Sequence, residues 1–399
     1  MNLQNEIRLT TWSQVRDAFR SKDLRQAGYT EGAVVTAGTL LDLHGKEHRA
    51  RRRIENRLFR RATFSHWEHE VLGATIEATL QPFIDQGHGD LAQIGYRAAM
   101  NLTAMIAGVD IDPLDTARTD ELYSIVAKLS EGATLMHSTR PKSQVRSEVR
   151  SAMEHFRASF YEPSLARRRV AVEHYEHGSL AEDQLDADVL TTLLVHGQQL
   201  ALEPEIIFRE ICFYLQAGAH STANAFTHTI DEILSWREHV DKTTPLDLAM
   251  VQRCMHESLR LHPASPVAFR TPLNQVVLSD GTVLAAHSLV VLDLQAANQD
   301  PNVFGADSHT FDPHRSLPSG IARWGMSFGA GMHACVGAEL DGGLEIDDDR
   351  PHQDHLYGTV AVIANAFLLA GGRRDPHNPP RFDPGSVRKH FGSYPVLFN

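Results

Sequence analysis

Cysteine is scarce: Cys212, Cys254 and Cys335 are the only three in 399 residues. So few, so irregularly spaced, cannot form a disulfide framework and point to a reducing compartment, which leaves each sulfur as a thiol or a ligand. No run of about 18 apolar residues occurs, and the opening MNLQNEIRLTTW lacks a basic end followed by an apolar stretch. No membrane anchor or export signal is therefore predicted, and a cytoplasmic location is expected. Positive charge is also short, with a net charge of −12, which argues against nucleic acid as the main partner because phosphate binding needs a positive field. No Gly/Ser/Pro-rich linker and no internal repeat divides the chain, so one domain over 1–399 is expected. There is no flavin or nicotinamide fingerprint either.

What is present is apolar periodicity. Hydrophobic residues make up 42% of the chain, enough for a large core. The spacing predicts helices over 90–109, 119–137 and about 143–177. From Pro204 to Trp236 the sequence is apolar on nearly every face in its first half, which describes a helix through the middle of a core, roughly 45 Å long. After residue 262 short β-branched runs flank an Asp-Gly pair within 275–294, the pattern of a hairpin. The fold class is mainly α with a small β portion.

The run EHRARRRIENRLFRRA (47–62) places Arg49, Arg53, Arg57 and Arg61 on one helical stripe and Ala50, Ile54, Leu58 and Ala62 on the next. A solvated basic face and a docking surface for an acidic protein both fit that pattern. HGKEH (44–48) matches a short zinc-protease pattern, but Gly45 sits in what would be the first turn, and such a match is common in a chain with 23 histidines. HWEH (66–69) and HQDH (352–355) read as solvated histidines.

FGAGMHACVG (328–337) is different in kind. Phe328, Gly331, His333, Cys335 and Gly337 fill every fixed position of F-x-x-G-x-H-x-C-x-G, a match expected by chance in fewer than about one such chain in a thousand. On these residues the chain resembles the cytochrome P450 superfamily, the haem-thiolate monooxygenases of soluble bacterial type. The resemblance implies haem b, iron protoporphyrin IX, with its iron held by the Cys335 thiolate, and it covers the chain from about residue 8 onward. Glycines let the backbone bend under a flat macrocycle, and a helix starting near Cys335 would point N–H groups at the sulfur. That dipole contributes only about 0.3–1 kcal/mol, too little to ionise a thiol, so the metal must do most of it. A thiolate ligand then favours O–O cleavage.

The same resemblance assigns further residues. Glu257 and Arg260 in MHESLRLHP, with Arg315 in FDPHR, correspond to a buried ionic cluster under the haem; a second E-x-x-R pair, Glu154 and Arg157, shows that spacing alone proves little. His48 with Arg52, Arg270, and His333 correspond to contacts of the haem propionates, and Phe328 and Gly337 to the cofactor loop. Substrate-pocket walls are expected from Leu215, Ala217, Val267 and Phe269, with segments 26–42 and His390–Ser393 and the helix end near Met136.

Three departures from the family pattern stand out. Where the long helix usually carries an acid and a threonine that relay protons towards oxygen, this chain has His220 and Ser221, then Thr222. These three are the expected catalytic residues, with His220 titrating near neutrality. TTWSQVRDAFRSKDLRQ resembles the family's second helix region already at residue 10, so the first helix and opening strands are expected to be absent and the N-terminus shortened. DGGLEIDDDRPHQDHLY (341–357) is an acidic insertion, expected as a solvated loop that interrupts the helix following Cys335, because its two glycines and Pro351 cannot continue a helix.

The function implied is insertion of one oxygen atom from O2 into a small, largely apolar organic molecule. Electrons would come from NAD(P)H through a separate ferredoxin reductase and ferredoxin, the latter docking on Arg49, Arg53, Arg57 and Arg61. Two alternatives remain open: an enzyme that uses peroxide or rearranges its substrate, motivated by His220, and a haem protein that binds ligands without turnover.

Overall fold

A computed structural model describes residues 6–240, 246–346 and 354–398. In chain order the first part comprises β1 (Glu6–Leu9), α1 (Trp12–Arg20), β2 (Leu24–Gln26), α2 (Ala33–Thr36), α3 (Gly45–Glu55), α4 (Arg61–His66), α5 (Leu72–Gln86) and β3 (His88–Asp90). The helical body follows with α6 (Leu91–Ala107), α7 (Thr116–Ala133), α8 (Lys142–Phe156), α9 (Glu162–Glu176), α10 (Val189–His196), α11 (Pro204–Arg237) and α12 (Leu248–Leu261). The last part holds β4 (Val267–Pro272), β5 (Val276–Val277), β6 (Val283–Leu284), β7 (Leu289–Asp293), α13 (Leu294–Ala297), α14 (Pro301–Phe304), α15 (Ala338–Gly342), α16 (Thr359–Leu369), β8 (Arg373–Arg374), β9 (Arg381–Phe382), β10 (Phe391–Ser393) and β11 (Pro395–Leu397).

Local chemistry explains the helix starts. The Thr11 hydroxyl and the Gln14 amide cap α1 reciprocally. Asp90 accepts from the Ala92 and Gln93 N–H groups at the head of α6, and Asp247 from Met250 at the head of α12. Pro204 occupies the first turn of α11, where its missing N–H costs nothing.

As its apolar composition predicts, α11 runs through the centre, burying Phe208, Ile211, Leu215, Ala219, Phe226, Ile230 and Ile233. Helices α6, α7, α12 and α16 pack around it. The main core lies among these helices, while a second, smaller core joins α1 to a four-stranded sheet through Leu9, Trp12, Val15, Phe19, Val290 and Leu292. That sheet has the order β1-β7-β4-β2, with β1 parallel to β7 and the other pairs antiparallel. The Asp280–Gly281 hairpin forms between β5 and β6.

Two expectations change here. Residues 6–9 form a strand ahead of α1, pairing Glu6–Leu9 with Leu289–Leu292, where no opening strand was predicted; four residues are too short for an alternation signal. The basic run 47–62 is not one helix. It breaks after Glu55, with the Asn56 N–H on the Arg52 carbonyl at 2.9 Å and Leu58 N–H on Glu55 at 3.0 Å, before α4 starts at Arg61. The break turns Leu58, Phe64 and Trp67 into the core. Arg49 and Arg53 lie on α3, Arg57 in the turn and Arg61 on α4, all four exposed.

Candidate active site

Cys335 sits at the end of a loop held from both sides. Its N–H donates to the Phe328 carbonyl at 2.9 Å, and the Arg52 Nη1 donates to the Ala334 carbonyl at 2.9 Å. Gly331 has φ +70°, and a Cβ there would come within 2.1 Å of the Phe19 carbonyl oxygen, so no other residue fits. The Cys335 side chain is solvent-accessible, whereas Cys212 and Cys254 are buried. Desolvation, then the nearby Asp341 carboxyl, pushes the Cys335 thiol up to about 11, against a Gly337 N–H that favours the thiolate. Metal-free Cys335 therefore keeps its proton at neutral pH.

The loop is tied to the helical body by a chain of bonds. Arg260 donates to Glu257 through Nε at 2.8 Å and Nη2 at 2.6 Å, and Arg315 Nε reaches the same carboxylate at 3.0 Å. All three side chains are buried. Arg260 Nη1 also donates to the Asn298 carbonyl at 2.7 Å. Asn298, fully buried, in turn accepts from the Met326 N–H at 2.7 Å and donates to Ser327 Oγ at 3.0 Å. The ionic cluster thereby fixes where the Cys335 loop begins. The other E-x-x-R pair does not close: Arg157 bonds Glu205 and lies over the Phe208 ring.

His48 and His333 face each other with ring centroids 4.3 Å apart. Both nitrogens of His48 and Nε2 of His333 are buried without a partner. Burial, then neighbouring cations and imidazoles, lowers His48 to about 4 and His333 to about 3. Arg270 is buried too, bonded to Gln26 and its own Phe269 carbonyl and lying 5.2 Å over the Phe19 ring. Burial pulls it down to about 10. Unsatisfied buried donors beside two guanidinium groups call for anions. Carboxylates between His48, Arg52, Arg270 and His333, with a metal on Cys335, satisfy them, so these residues fit a haem with its two propionates. Phe328 contributes its carbonyl to the loop and its ring to an edge contact with Trp324, centroids 5.5 Å apart.

On α11 the Ser221 hydroxyl donates to the Ala217 carbonyl at 2.5 Å, and the Thr222 hydroxyl donates to Asp341 Oδ1 at 3.0 Å. His220 turns away from both. Its Nε2 accepts from Arg388 Nη2 at 2.9 Å and lies 3.2 Å from the Asn224 amide. Burial, then Arg388, holds His220 well below the usual imidazole range, so the expectation that it titrates near neutrality is corrected: it stays neutral, with its proton on Nδ1 and its lone pair on Arg388.

Two other expectations need correction. Leu215 is fully buried in the main core and lines none of the cavities described for this structure, because it lies on the face of α11 turned into the helical body. Ala217, Val267 and Phe269 are partly open. The 341–357 segment is not solvated throughout. Asp341 and Gly342 belong to α15, and Gly342, Gly343 and Leu356 are buried. The chain leaves at Gly343 (φ +68°) and returns at Gly358, where a Cβ on either would come within 2.4 Å of the other strand's backbone. Gln252 Nε2 donates among the carbonyls of Gly342, Leu344, Leu356 and Tyr357, and Glu68 accepts from the Tyr357 and Gly358 N–H groups. The neck is clamped, which no local pattern announced.

Asp341, Asn298 and Arg388 were missed by sequence reasoning. Asp341 shares its short helix with a second acid, Glu339, and was legible only as the first residue of the acidic insertion; burial pushes its carboxyl up to about 7. Arg388 lies two residues before the segment named as a pocket wall. It helps line a cavity of about 590 Å³ with His137, His220, Asn224, Asp383 and His390. A second cavity of about 710 Å³ lies on the basic face, lined by Arg49, Arg52, Arg53 and Arg57.

A helical body with an accessible cysteine on a clamped loop and cationic side chains nearby is an arrangement that fits a thiolate-bound haem. The cytochrome P450 family model matches residues 210–340. Pulcherriminic acid synthase of Bacillus subtilis is 27% identical over 81% of this chain and 74% of its own length. Cyclooctat-9-en-7-ol 5-monooxygenase of Streptomyces melanosporofaciens is 28% identical over 70% of this chain and 60% of its own. The crystal structure of CalO2 superposes with a TM-score of 0.75 at 19% identity, covering 98% of this chain and 90% of that one. On these matches the chain is similar to the cytochrome P450 family of haem-dependent monooxygenases. Among the described residues no helix is long and apolar enough to cross a membrane.

Proposed function

We propose that the protein is a single-domain, cytoplasmic haem b monooxygenase that inserts one oxygen atom from O2 into a small organic substrate. Electrons are drawn from NAD(P)H through a ferredoxin reductase and a ferredoxin. The observation that carries the reading is the pairing of an accessible Cys335 thiol with the unsatisfied nitrogens of His48 and His333. His48, Arg52, Arg270 and His333 hold the propionates, Cys335 supplies the thiolate, and bound haem supplies the activation of O2. Ser221, bonded only to its own helix carbonyl, is the hydroxyl free to rotate and hand on a proton. Thr222 is committed to Asp341 and keeps α11 against α15. The polar cavity wall around His220 moderates the expectation of a largely apolar substrate.

The locked, neutral His220 supports a second reading, in which proton delivery is altered and the enzyme uses peroxide or works without net oxidation. The carbon monoxide difference spectrum of the reduced protein tests the ligand: a far-red Soret band is expected, and a band at the position of histidine-ligated haem rejects thiolate ligation. Oxygen uptake matched to product then separates O2 use from peroxide use, and both from ligand binding without turnover.

A further inference from the structure

Among the described residues Arg388 is a buried cation with no carboxylate in ion-pair contact; the charge of Asp383 reaches it only through space. Its side chain is 8% exposed. Nη2 donates to Thr134 Oγ1 at 3.1 Å and to His220 at 2.9 Å, Nη1 reaches the Ala264 carbonyl at 3.4 Å, and Nε has no partner. Every one of those partners is neutral. The acids on the same cavity wall are already engaged: Asp383 accepts from His390 Nε2 at 3.1 Å and Gly385 N at 2.8 Å, Glu131 from Arg140 at 2.7 Å, and Asp90 from Ser393 and Tyr394 at 2.8 and 3.0 Å. The other arginine of the wall, Arg140, is shared between Glu131 and Glu148. Among the described residues no carboxylate makes an ion pair with Arg388. Leaving one charge of a buried pair uncompensated is strongly destabilising, so a group that persists in that state is built for an anion that arrives from outside.

We propose that Arg388 is the anchor for a carboxylate-bearing substrate, an organic acid whose carboxylate sits in the 590 Å³ cavity against the guanidinium's unpartnered Nε. The inference rests on the haem-monooxygenase reading only for what happens next to the bound acid. The charge selects the ligand class: one guanidinium beside a neutral imidazole balances a single negative charge, so a carboxylate matches and a doubly charged phosphate does not. The position selects its orientation. His220 fixes the guanidinium against α11 one residue from Ser221, and His137, on the same wall, has its ring 6.4 Å from that of Phe269. The acid's remaining atoms then lie in the cavity along α11 at His220, Ala223 and Asn224, beside Ser221. His48, Arg52, Arg270 and His333 already suffice for two propionates, which leaves Arg388 to the substrate.

Matched pairs of probes test this: decanoate against decanamide, and phenylacetate against phenylacetamide, titrated calorimetrically into the haem-loaded protein. At least one acid is expected to bind about tenfold or more tighter than its amide, with a preference that shrinks at high salt. In Arg388→Gln the preference disappears while haem content, read by the pyridine haemochrome, stays at the wild-type level; Arg388→Lys keeps part of it. Equal binding of acid and amide in the wild type, in both pairs, overturns the proposal whatever the variants do. So does a preference that survives Arg388→Gln, or a loss of haem from that variant, which would make Arg388 a propionate partner. Failure of the haem reading shows separately, as a wild-type protein that binds no haem.

Discussion

Arg388 Nη2 donates to His220 Nε2 across 2.9 Å, joining the segment before β10 to the middle of α11. A cation donating to an imidazole nitrogen excludes a proton from that nitrogen. The residue that replaces the family's acid is thereby a fixed acceptor and not a titrating relay.

The neutral state of His220 has a sign that stability measurements read. Its folded pKa is lowered, so below about 6.5 the unfolded chain takes up a proton that the folded one does not, and stability falls as pH drops. Replacement by Gln keeps an acceptor for Arg388 and removes the titration. The difference in unfolding free energy between His220→Gln and wild type should move in the variant's favour from pH 7 to pH 5, by up to about 1.4 kcal/mol per pH unit. A constant difference across that range means His220 is protonated in the fold.

Ser221→Ala should leave folding and haem content unchanged and raise the share of electrons lost to peroxide, because the one uncommitted hydroxyl of this turn is removed. Thr222→Val should instead act on stability, at about 1–3 kcal/mol, since it leaves half-buried Asp341 without its donor. Peroxide yield measured per NAD(P)H separates the two; equal yields in wild type and Ser221→Ala would mean the proton comes from elsewhere.

Cys335→Ser should abolish the thiolate Soret signature. Cys212→Ser and Cys254→Ser should not alter it, because both thiols are fully buried in the helical core, where burial pushes them up out of the range of a thiolate. A thiolate spectrum in Cys335→Ser would reassign the ligand.

A buried cluster between α3 and α11 carries two carboxyls for one guanidinium. Arg51 Nη1 bonds Glu210 at 2.6 Å, while Glu55 accepts from Tyr214 at 2.6 Å and its other oxygen has no partner. Burial, then Glu210, raises Glu55 well above the carboxylate range, and Glu210 is pushed up to about 7. Glu55 is therefore the neutral member. The unfolded chain ionises Glu55 above about 4.5 while the fold keeps it protonated, so this group lowers stability as pH rises. Glu55→Gln should be neutral at pH 5 and stabilising at pH 8, whereas Arg51→Met should destabilise by about 3–5 kcal/mol. Thermal melts at the two pH values decide it; a destabilised Glu55→Gln at pH 8 contradicts the assignment.

The long helices, the hairpin and the Cys335 loop were legible because each is written locally, in a 3.6-residue period, an Asp-Gly pair or a five-position motif. The meeting of Glu257, Arg260 and Arg315 was legible only through resemblance. What was not legible depends on chain segments far apart. The break at Asn56 follows from where Leu58 and Phe64 find a core. Asn298 has its role from bonds to Arg260 and Met326. The protonation state of His220 follows from an arginine 168 residues away, and period or spacing carries no trace of such a contact.

The last prediction concerns the acidic insertion and the basic face. Arg49, Arg53 and Arg57 border a surface cavity of about 710 Å³, and Arg61, nearby on α4, pairs with Glu339 at 3.1 Å. Asp347, Asp348 and Asp349 lie outside the described residues, but the two ends of their loop are held together: Leu344 N–H bonds the Leu356 carbonyl at 2.8 Å, above the clamp of Gln252 and Glu68. Because the neck is closed without the excursion, replacing 345–355 by a two-residue Asn-Gly turn should leave the melting temperature within a few degrees and the haem spectrum intact. Exposed acid–base pairs contribute at most about 1 kcal/mol each and are screened beyond about 10 Å at 0.1 M salt. Three acids on a loop with this neck, acting through such exposed pairs, should therefore tune, and not block, the approach of an acidic ferredoxin. Stopped-flow reduction of the shortened protein should run several-fold faster at low salt and converge with wild type at high salt. Identical rates at every salt concentration would make the insertion a passive surface feature, and a collapsed melting temperature would show that the excursion, and not its neck, holds α15 to α16.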